Sequence, residues 1–173
     1  MLFKNTFLTA RWENLIMANY EVDGRILEKY LPQGTELDLW NNRCYVSLVG
    51  FLFLNTKVLG VRFPFHQNFE EVNLRFYVKY KEHDIHRKTL EKRGVVFIKE
   101  IVPKSMITFV ANNVYNENYQ TLKMSHEIFE TDNTLNIKYL WQYQNNWNSL
   151  QVESEKAKSP ALPNSEEAFI TEH

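Results

Sequence analysis

The most regular hydrophobic pattern in the chain is a strict alternation of apolar and polar residues in "EVNLRFYV", residues 71–78. A period of two is typical of a β-strand, because successive side chains point to opposite faces of a sheet. The pattern predicts a strand over residues 71–80. Its apolar side faces a core, and its polar side carries Glu71, Asn73, Arg75 and Tyr77.

Further strands are predicted from runs of β-branched and aromatic residues. The run "RCYVSLVGFLFLNTKV", residues 43–58, is apolar on both faces, which is typical of a central strand covered on both sides. "GVVFIKEIV" predicts the next strand after a charged hairpin connection. "NENYQTLKMSHEIFE" and "TLNIKYLWQYQ" predict a strand pair joined by the turn "TDN". Residues 11–21 fit a strand or a short helix, whereas the polar residues 151–165 predict a loop.

Short helices are predicted where start and stop signals flank apolar residues. In "DGRILEKYLPQG", Asp23 can cap the N-terminus, and Pro32 with Gly34 ends the helix. Its predicted apolar stripe consists of Ile26, Leu27 and Tyr30.

Two more helices are predicted towards the end of the chain. The first follows Pro103 in "KSMITFVANNVY" and is weakened near its end by Asn112 and Asn113. Its predicted apolar side consists of Met106, Ile107, Val110 and Val114. The second is capped by Ser165 and contains Phe169 and Ile170.

Together these elements predict an α+β fold with about seven strands and two or three short helices. We expect a mostly antiparallel sheet that is curled or forms a partial barrel. A chain of 173 residues suggests one domain over residues 1–173, and it is long enough to bury a core.

Composition and charge narrow the classes of partner. A net charge of −1 gives no bulk attraction to nucleic acid or to an anionic membrane. No apolar run reaches the ~20 residues that span a bilayer, and the segment "MLFKNTFLTARWENL" lacks the features of a signal peptide. With a single cysteine, Cys44, the chain forms no internal disulfide. We therefore expect a cytoplasmic protein with no nucleic-acid and no membrane partner.

Metal, nucleophile and cofactor chemistry have few candidates. His83 and His86 in "HDIH" could ligate a metal, but zinc needs three or four ligands and no further pair is visible, so no metal is expected. Cys44 lies in an apolar strand where nothing would lower the pKa of its thiol, and it is expected to be buried and inert. The glycines are scattered and form no phosphate-binding loop, so no cofactor is expected.

The polar side of residues 71–78 has two interpretations. Half-exposed antiparallel strands are common, so it can be a solvated face with one weak ion pair. Alternatively, a curled sheet turns it inward as the wall of a cavity. Arg75 would then hold a carboxylate or orient Glu71, and Asn73 and Tyr77 would add directional hydrogen bonds.

Three stretches resemble the YqjF-like family of uncharacterised bacterial proteins, the domain of unknown function 2071. They are "RWENLIMANYEVDGRILEKYLPQGTELDLWNNRCYVSLVGF", "EVNLRFYV" and "RGVVFIKEIVPKSMITFVANNVY". The resemblance covers residues 11 to 125, by the order and spacing of its segments, and continues weakly to "SEEAFITEH". It implies a fold similar to acetoacetate decarboxylase, with a barrel-like sheet around a ligand-sized cavity. It also implies either that this chain is truncated at its C-terminus relative to the family or that it is a shorter relative.

The resemblance also bears on chemistry. Decarboxylases of that fold use one of two adjacent lysines, placed after the short helix, to form a Schiff base, and the neighbouring cation lowers its pKa. In this sequence Tyr119 and Gln120 stand at those positions. Lys123 shares the strand face of Tyr119 but lies roughly 13 Å farther along. The resemblance therefore implies a cavity that does not carry out Schiff-base decarboxylation.

Three functions remain open at this point. The first is binding of a small molecule, whether anionic or not, by Glu71, Asn73, Arg75, Tyr77 and Tyr119. The second is an enzyme in which Glu71 acts as general acid and base on a small oxo-compound, with Tyr119 donating to a developing oxyanion. The third is an interaction protein that pairs through an open sheet edge, with a partner or as a homo-oligomer.

Overall fold

The computed structural model describes residues 8–58, 60–62, 64–83, 89–114, 117–157 and 159–173. Within them lie nine strands, two α-helices and two 3₁₀ turns, Gly24–Ile26 and Glu28–Tyr30. The strands are β1 (Leu8–Val22), β2 (Thr35–Leu37), β3 (Cys44–Val58), β4 (Phe69–His83), β5 (Thr89–Val102), β6 (Tyr119–Thr121), β7 (Met124–Glu130), β8 (Thr134–Tyr143) and β9 (Asn146–Glu155). The helices are α1 (Ser105–Val114) and α2 (Glu166–Thr171). Neither they nor the turns are long and apolar enough to cross a bilayer.

Two sheets form the frame. The larger has the order β1-β3-β4-β5-β6, with β2 paired to β4, and the smaller has the order β7-β8-β9. All pairings are antiparallel except that of β5 with β6. This confirms the predicted mostly antiparallel α+β fold. Over the described residues the larger sheet ends at β1 and β6, so the barrel is not closed. Pairing of those edges with another chain stays a prediction.

Each face of the larger sheet has its own cover. The apolar side of β4 and the matching side of β3 pack against the smaller sheet, through the cluster Ile16, Leu52, Val72, Ile137, Tyr139 and Leu150. The turn segment between β1 and β2 covers the rest of this face, where Leu27 packs on Phe76 and Val78. The predicted central strand β3 is thereby confirmed.

The opposite face, which carries the polar row of β4, is covered only at its two ends. At one end Ile107 of α1 packs on Phe51, Phe53 and Val102. At the other end Phe169 and Ile170 of α2 pack on Tyr45 and Tyr77. Between these two clusters the sheet is left open, and the space forms the candidate site.

Helix α2 is fixed to this face by a cap and a buried carboxylate. Ser165 caps it as predicted, accepting from the backbone N–H of Ala168 at 3.2 Å. Asp38 accepts from Nε of Arg93 at 2.6 Å, and Nε2 of His173 lies 2.8 Å from the same oxygen. Because charge-assisted hydrogen bonds are the stronger ones, this group holds the end of α2 against the sheet.

The helix predicted over residues 23–34 is instead a pair of 3₁₀ turns. Asp23 does cap the first, since it accepts from the backbone N–H of Arg25 at 3.0 Å. Leu31 is already extended, because the residue before a proline is biased away from the α region. The predicted apolar stripe was therefore wrong in part: Leu27 is buried, whereas Ile26 and Tyr30 are exposed.

Other predictions need smaller corrections. Residues 11–21 are a strand, and in α1 Ile107 and Ala111 are buried while Met106 and Val114 of the predicted stripe are exposed. The loop predicted over 151–165 was wrong in its first part, since β9 continues to Glu155. Cys44 is buried as predicted, and burial raises the pKa of its thiol.

Candidate functional site

A cleft of about 720 Å³ occupies the open part of the sheet between α1 and α2. Strands β1, β3, β4 and β5 form its floor, and β6 closes one side. Its walls are aromatic on one side and acidic on the other, with one arginine. The lining residues are Thr9, Ala10, Trp12, Phe51, Phe53, Glu71, Asn73, Arg75, Phe97, Glu100, Glu117 and Tyr119.

The predicted polar row divides between the cleft and the core. Glu71, Asn73 and Arg75 line the cleft, and Tyr119 joins them from β6. Tyr77 lies outside it: the side chain is fully buried against Phe169 of α2. The structure thus brings together four of the five predicted site residues.

Glu71 is the most constrained group in the cleft. Its side chain is 2% exposed. Oε1 accepts from Nδ2 of Asn73 at 3.0 Å, and Oε2 accepts from the hydroxyl of Tyr119 at 3.1 Å. Burial raises the pKa of Glu71 to about 7, although these two hydrogen bonds oppose the rise. Glu71 can therefore exchange a proton near neutral pH.

A second buried carboxyl group, Glu100, enters the cleft from β5. It is 4% exposed, and burial together with the negative charge of Glu71 raises its pKa to about 8. The register explains its position, because Asn73 pairs with Glu100 whereas Arg75 pairs with Phe97. The extra residue forms a β-bulge that places both Phe97 and Glu100 on the cleft side.

Tyr119 is positioned by the end of helix α1. The side chain of Asn112 donates to the backbone carbonyl of Tyr119 at 2.9 Å and accepts from its N–H at 2.8 Å. These bonds hold β6 beside β5, where Tyr119 pairs with Glu100. Burial, followed by the charges of Glu71 and Glu100, raises the pKa of Tyr119 well above its usual range. Tyr119 therefore acts as a hydrogen-bond donor in this site.

Three polar atoms of cleft-lining residues are buried and have no hydrogen-bond partner among the described residues. They are Oδ1 of Asn73, Nε of Arg75 and Oε2 of Glu100. The guanidinium of Arg75 has no acidic partner in the described part of the chain, and its Nη2 donates a hydrogen bond to Sδ of Met17 at 3.9 Å. Buried polar groups in native proteins are almost always satisfied, so three unpaired atoms in one group of lining residues are unusual.

The apolar wall is built from aromatic rings. Trp12 stacks on Phe51 with ring centroids 4.8 Å apart, and Phe51 meets Phe53 edge-to-face. The side chain of Trp12 is nevertheless 54% exposed. An exposed face of a large ring at a cleft is suited to an apolar or aromatic part of a ligand.

The other chemical candidates lie away from the cleft. The lining residues include no lysine, and Nζ of Lys123 lies over the ring of Trp147 at 5.6 Å from its centroid. No three histidine, cysteine or acidic side chains gather around a possible metal ion in the part of the chain that the structure describes. His86 of the predicted histidine pair lies outside that part.

Sequence patterns missed Glu100, Asn112 and Trp12. Alternation in "GVVFIKEIV" places Phe97 and Glu100 on opposite faces, and only the bulge brings them together. Asn112 was noted as a weak helix former, whereas its role depends on a partner in β6. The charged pair Lys99 and Glu100, in an otherwise apolar strand, was the available signal for Glu100.

Comparison with known proteins shows which family this chain belongs to. Residues 9–173 match the model of a family described as an uncharacterized conserved protein, DUF2071. The uncharacterized protein YqjF of Bacillus subtilis is 34% identical over 71 residues, which cover 40% of this chain and 29% of that protein.

Two solved structures share the fold. Acetoacetate decarboxylase from Legionella pneumophila superposes with a TM-score of 0.57 at 14% identity, covering 82% of this chain and 47% of that one. The enduracididine biosynthesis enzyme MppR, solved with the condensation product of pyruvate and imidazole 4-carboxaldehyde, gives a TM-score of 0.56 at 12% identity, covering 86% and 57%. The chain therefore spans about half the length of these structures. At such identity the likeness shows the fold alone, and it confirms the predicted one.

Proposed function

The chain belongs to the DUF2071 family, and we propose that its cleft binds a small molecule whose carboxylate is held by Arg75. One observation carries this proposal. Nε of Arg75 is buried in the cleft without a hydrogen-bond acceptor among the described residues. Leaving a buried N–H donor without an acceptor is costly, so a site that keeps one is suited to a ligand that supplies an acceptor oxygen.

A carboxylate suits this arginine because of its geometry. A guanidinium presents Nε–H and Nη–H groups in a planar fork that matches the two oxygens of a carboxylate. Phe97 pairs with Arg75 across the bulge, and Trp12 and Phe51 stack in the same cleft, so apolar rings line the site together with this arginine. The cleft volume of about 720 Å³ falls within the range of ordinary small-molecule sites.

Replacing Arg75 with glutamine is expected to weaken stabilisation by carboxylates strongly. A charge-assisted hydrogen bond contributes about 1.5 to 3 kcal/mol, so affinity should fall roughly tenfold to a hundredfold. Arg75→Lys keeps the charge but loses the planar fork, so its affinity for carboxylates should lie between those of wild type and Arg75→Gln. Thermal-shift titrations with acetate, pyruvate, succinate and 3-phenylpropionate measure this.

The matched control is Arg62→Gln, which removes an exposed arginine outside the cleft lining. It should respond to each carboxylate as wild type does. The proposal fails if no carboxylate raises the melting temperature of wild type, or if Arg75→Gln responds as strongly as wild type.

Imine chemistry receives no support from this site. A Schiff base needs a lysine at the reacting centre. The cleft is lined by Tyr119, at the position that the resemblance to decarboxylases of this fold aligns with one of their lysines. Binding of a carboxylate without imine formation is consistent with the unpaired Nε of Arg75 and with the lack of a lysine among the lining residues.

A second candidate function is general acid–base catalysis by Glu71 on a small oxo acid. The observation that favours it is the pKa of Glu71, which burial raises to about 7, close to the optimum for proton transfer at neutral pH. Tyr119 would donate to the developing enolate oxygen while Arg75 holds the carboxylate. The reaction would be removal and return of a proton next to the carbonyl.

This candidate predicts that the protein speeds hydrogen–deuterium exchange at C3 of pyruvate or 2-oxobutyrate in D₂O, followed by NMR. Glu71→Gln should lower the protein-dependent rate by at least about a hundredfold, because general base catalysis contributes that much. Glu153→Gln, at an exposed position in β9, should leave the rate unchanged. Exchange no faster than in buffer, for both acids, would exclude the reaction.

A further inference from the structure

We infer that the ligand also carries a cationic nitrogen, so that the cleft recognises a zwitterion of the amino-acid type with an apolar side chain. The nitrogen would donate to Oε2 of Glu100 and Oδ1 of Asn73 while the carboxylate pairs with Arg75. This inference rests on the proposed function and extends it to the class of ligand.

The first argument is the kind of atom left without a partner. Within the described residues, the lining residues have one unpaired donor, Nε of Arg75, one unpaired acceptor, Oδ1 of Asn73, and one unpaired carboxyl oxygen, Oε2 of Glu100, which accepts hydrogen bonds when Glu100 is ionised. Asn73 and Glu100 are 2% and 4% exposed, so water in bulk does not reach them. A carboxylate satisfies only the donor. An ammonium group has three N–H bonds and can satisfy both acceptors.

The second argument is the balance of charge at the site. Glu71 and Glu100 approach each other from neighbouring strands, and Glu117 lines the same cleft. Arg75 is the single basic side chain among the lining residues. A cation between the carboxyl groups relieves their mutual repulsion and allows them to ionise, whereas a purely anionic ligand adds to it.

The third argument is spacing along the strand. Asn73 and Arg75 are two residues apart on one face of β4, which separates their Cα atoms by roughly 7 Å. Glu100 pairs with Asn73, and Phe97 pairs with Arg75. Asn73, Glu100 and Arg75 therefore occupy adjacent positions of two paired strands, and all three line the cleft. The exposed ring of Trp12 is left for its side chain.

The test uses matched compounds that share one side chain. Phenylalanine, 3-phenylpropionate, phenylpyruvate and phenethylamine differ only in their amine, carboxylate or oxo groups, and leucine with 4-methylpentanoate repeats the comparison. Isothermal titration calorimetry at neutral pH should give the zwitterion about tenfold tighter binding than its deamino acid, which is the effect of one added charge-assisted contact.

Variants separate the two ends of the ligand. Glu100→Gln should remove the tenfold advantage of phenylalanine and leave 3-phenylpropionate unchanged or slightly tighter. Arg75→Gln should weaken both acids and leave phenethylamine unaffected. Glu153→Gln in β9, outside the cleft, should leave the affinities for phenylalanine and 3-phenylpropionate unchanged.

The outcomes distinguish this inference from the proposed function. If 3-phenylpropionate or phenylpyruvate binds at least as tightly as phenylalanine, the inference is overturned and the carboxylate site stands. If no acid of either series binds, the proposed function fails as well. Stabilisation by Mg²⁺ or Ca²⁺ alone that disappears in Glu100→Gln would also overturn the inference, because the acceptors would then belong to a metal site.

Discussion

Glu71→Gln is expected to make the protein more stable than wild type at pH 9 by about 2 to 3 kcal/mol, and no more stable at pH 5. The pKa of Glu71 is raised to about 7 in the folded protein, from about 4.3 in an unfolded chain. Between these values the folded state binds more protons than the unfolded state. Wild-type stability is therefore fully present below pH 4 and falls as the pH rises through about 7.

Glutamine can keep two hydrogen bonds without the charge. Its oxygen can accept from Tyr119, and its amide can donate to Oδ1 of Asn73 after the Asn73 amide turns over, because Nδ2 of Asn73 is the atom that faces Glu71. Urea unfolding at pH 5, 7 and 9 measures the difference between variant and wild type. Exposed carboxylates with a lowered pKa, such as Asp23 and Glu36, are common to both proteins and cancel.

Glu153→Gln provides the baseline, because it removes an exposed carboxylate of the second sheet. Its stability should follow the wild-type curve over the whole pH range. If the unfolding free energy of Glu71→Gln has the same pH dependence as that of wild type, Glu71 is not a buried group of raised pKa. The role given to Glu71 in the site is then wrong.

Gly50→Ala is expected to destabilise the protein by about 3 kcal/mol, because the two sheets meet at this residue. A Cβ atom at Gly50 would lie 2.5 Å from Cδ2 of Tyr139. The ring cannot turn away easily, since Tyr139 is fully buried and its hydroxyl donates to the backbone carbonyl of Asn14 at 2.8 Å. For a chain of this size the melting temperature should fall by roughly 6 to 12 °C.

Gly94→Ala is the matched control, since a Cβ there would meet nothing within 4 Å among the described atoms. It should leave the melting temperature nearly unchanged. A double variant, Gly50→Ala with Tyr139→Val, should lose less stability than the two single changes summed, because the smaller side chain removes the clash. Equal melting temperatures for the two glycine variants would show that the sheets do not approach each other here.

Much of the site follows from the sequence because it lies on one regular strand. Alternation in residues 71–78 placed Glu71, Asn73 and Arg75 on a common face, and the resemblance located Tyr119. Tyr77 obeys the same alternation, yet α2 covers it and removes it from the cleft. The cover comes from a helix about ninety residues away, which no local pattern reports.

Glu100 and β9 show two further limits of sequence patterns. A β-bulge changes the face of every later residue in its strand, and nothing in the apolar stretch around Glu100 marks the extra residue. In β9 only Leu150 is fully buried, so its composition resembles a loop. The turn before it uses Gln144 and Asn145, both with positive φ, without the Asn-Gly pair that signals such hairpins.

The chemistry of the cleft depends on its side chains more than on the fold. In this chain the fold leaves a sheet face open between two helices, and the side chains on that face determine its chemistry. In this chain they provide one guanidinium, two carboxyl groups near their midpoints of ionisation and a tyrosine donor. Such a set favours recognition of charged small molecules.

The most direct test of the carboxylate site is the NMR signal of the Arg75 side chain. The Nε–Hε cross-peak of Arg75, assigned by its loss in Arg75→Lys, can be followed while 3-phenylpropionate or phenylalanine is added. We predict that it moves downfield and saturates with the ligand, because Nε–H gains the acceptor that it lacks among the described residues. A cross-peak that stays in place while other signals show that the ligand is bound would contradict the account.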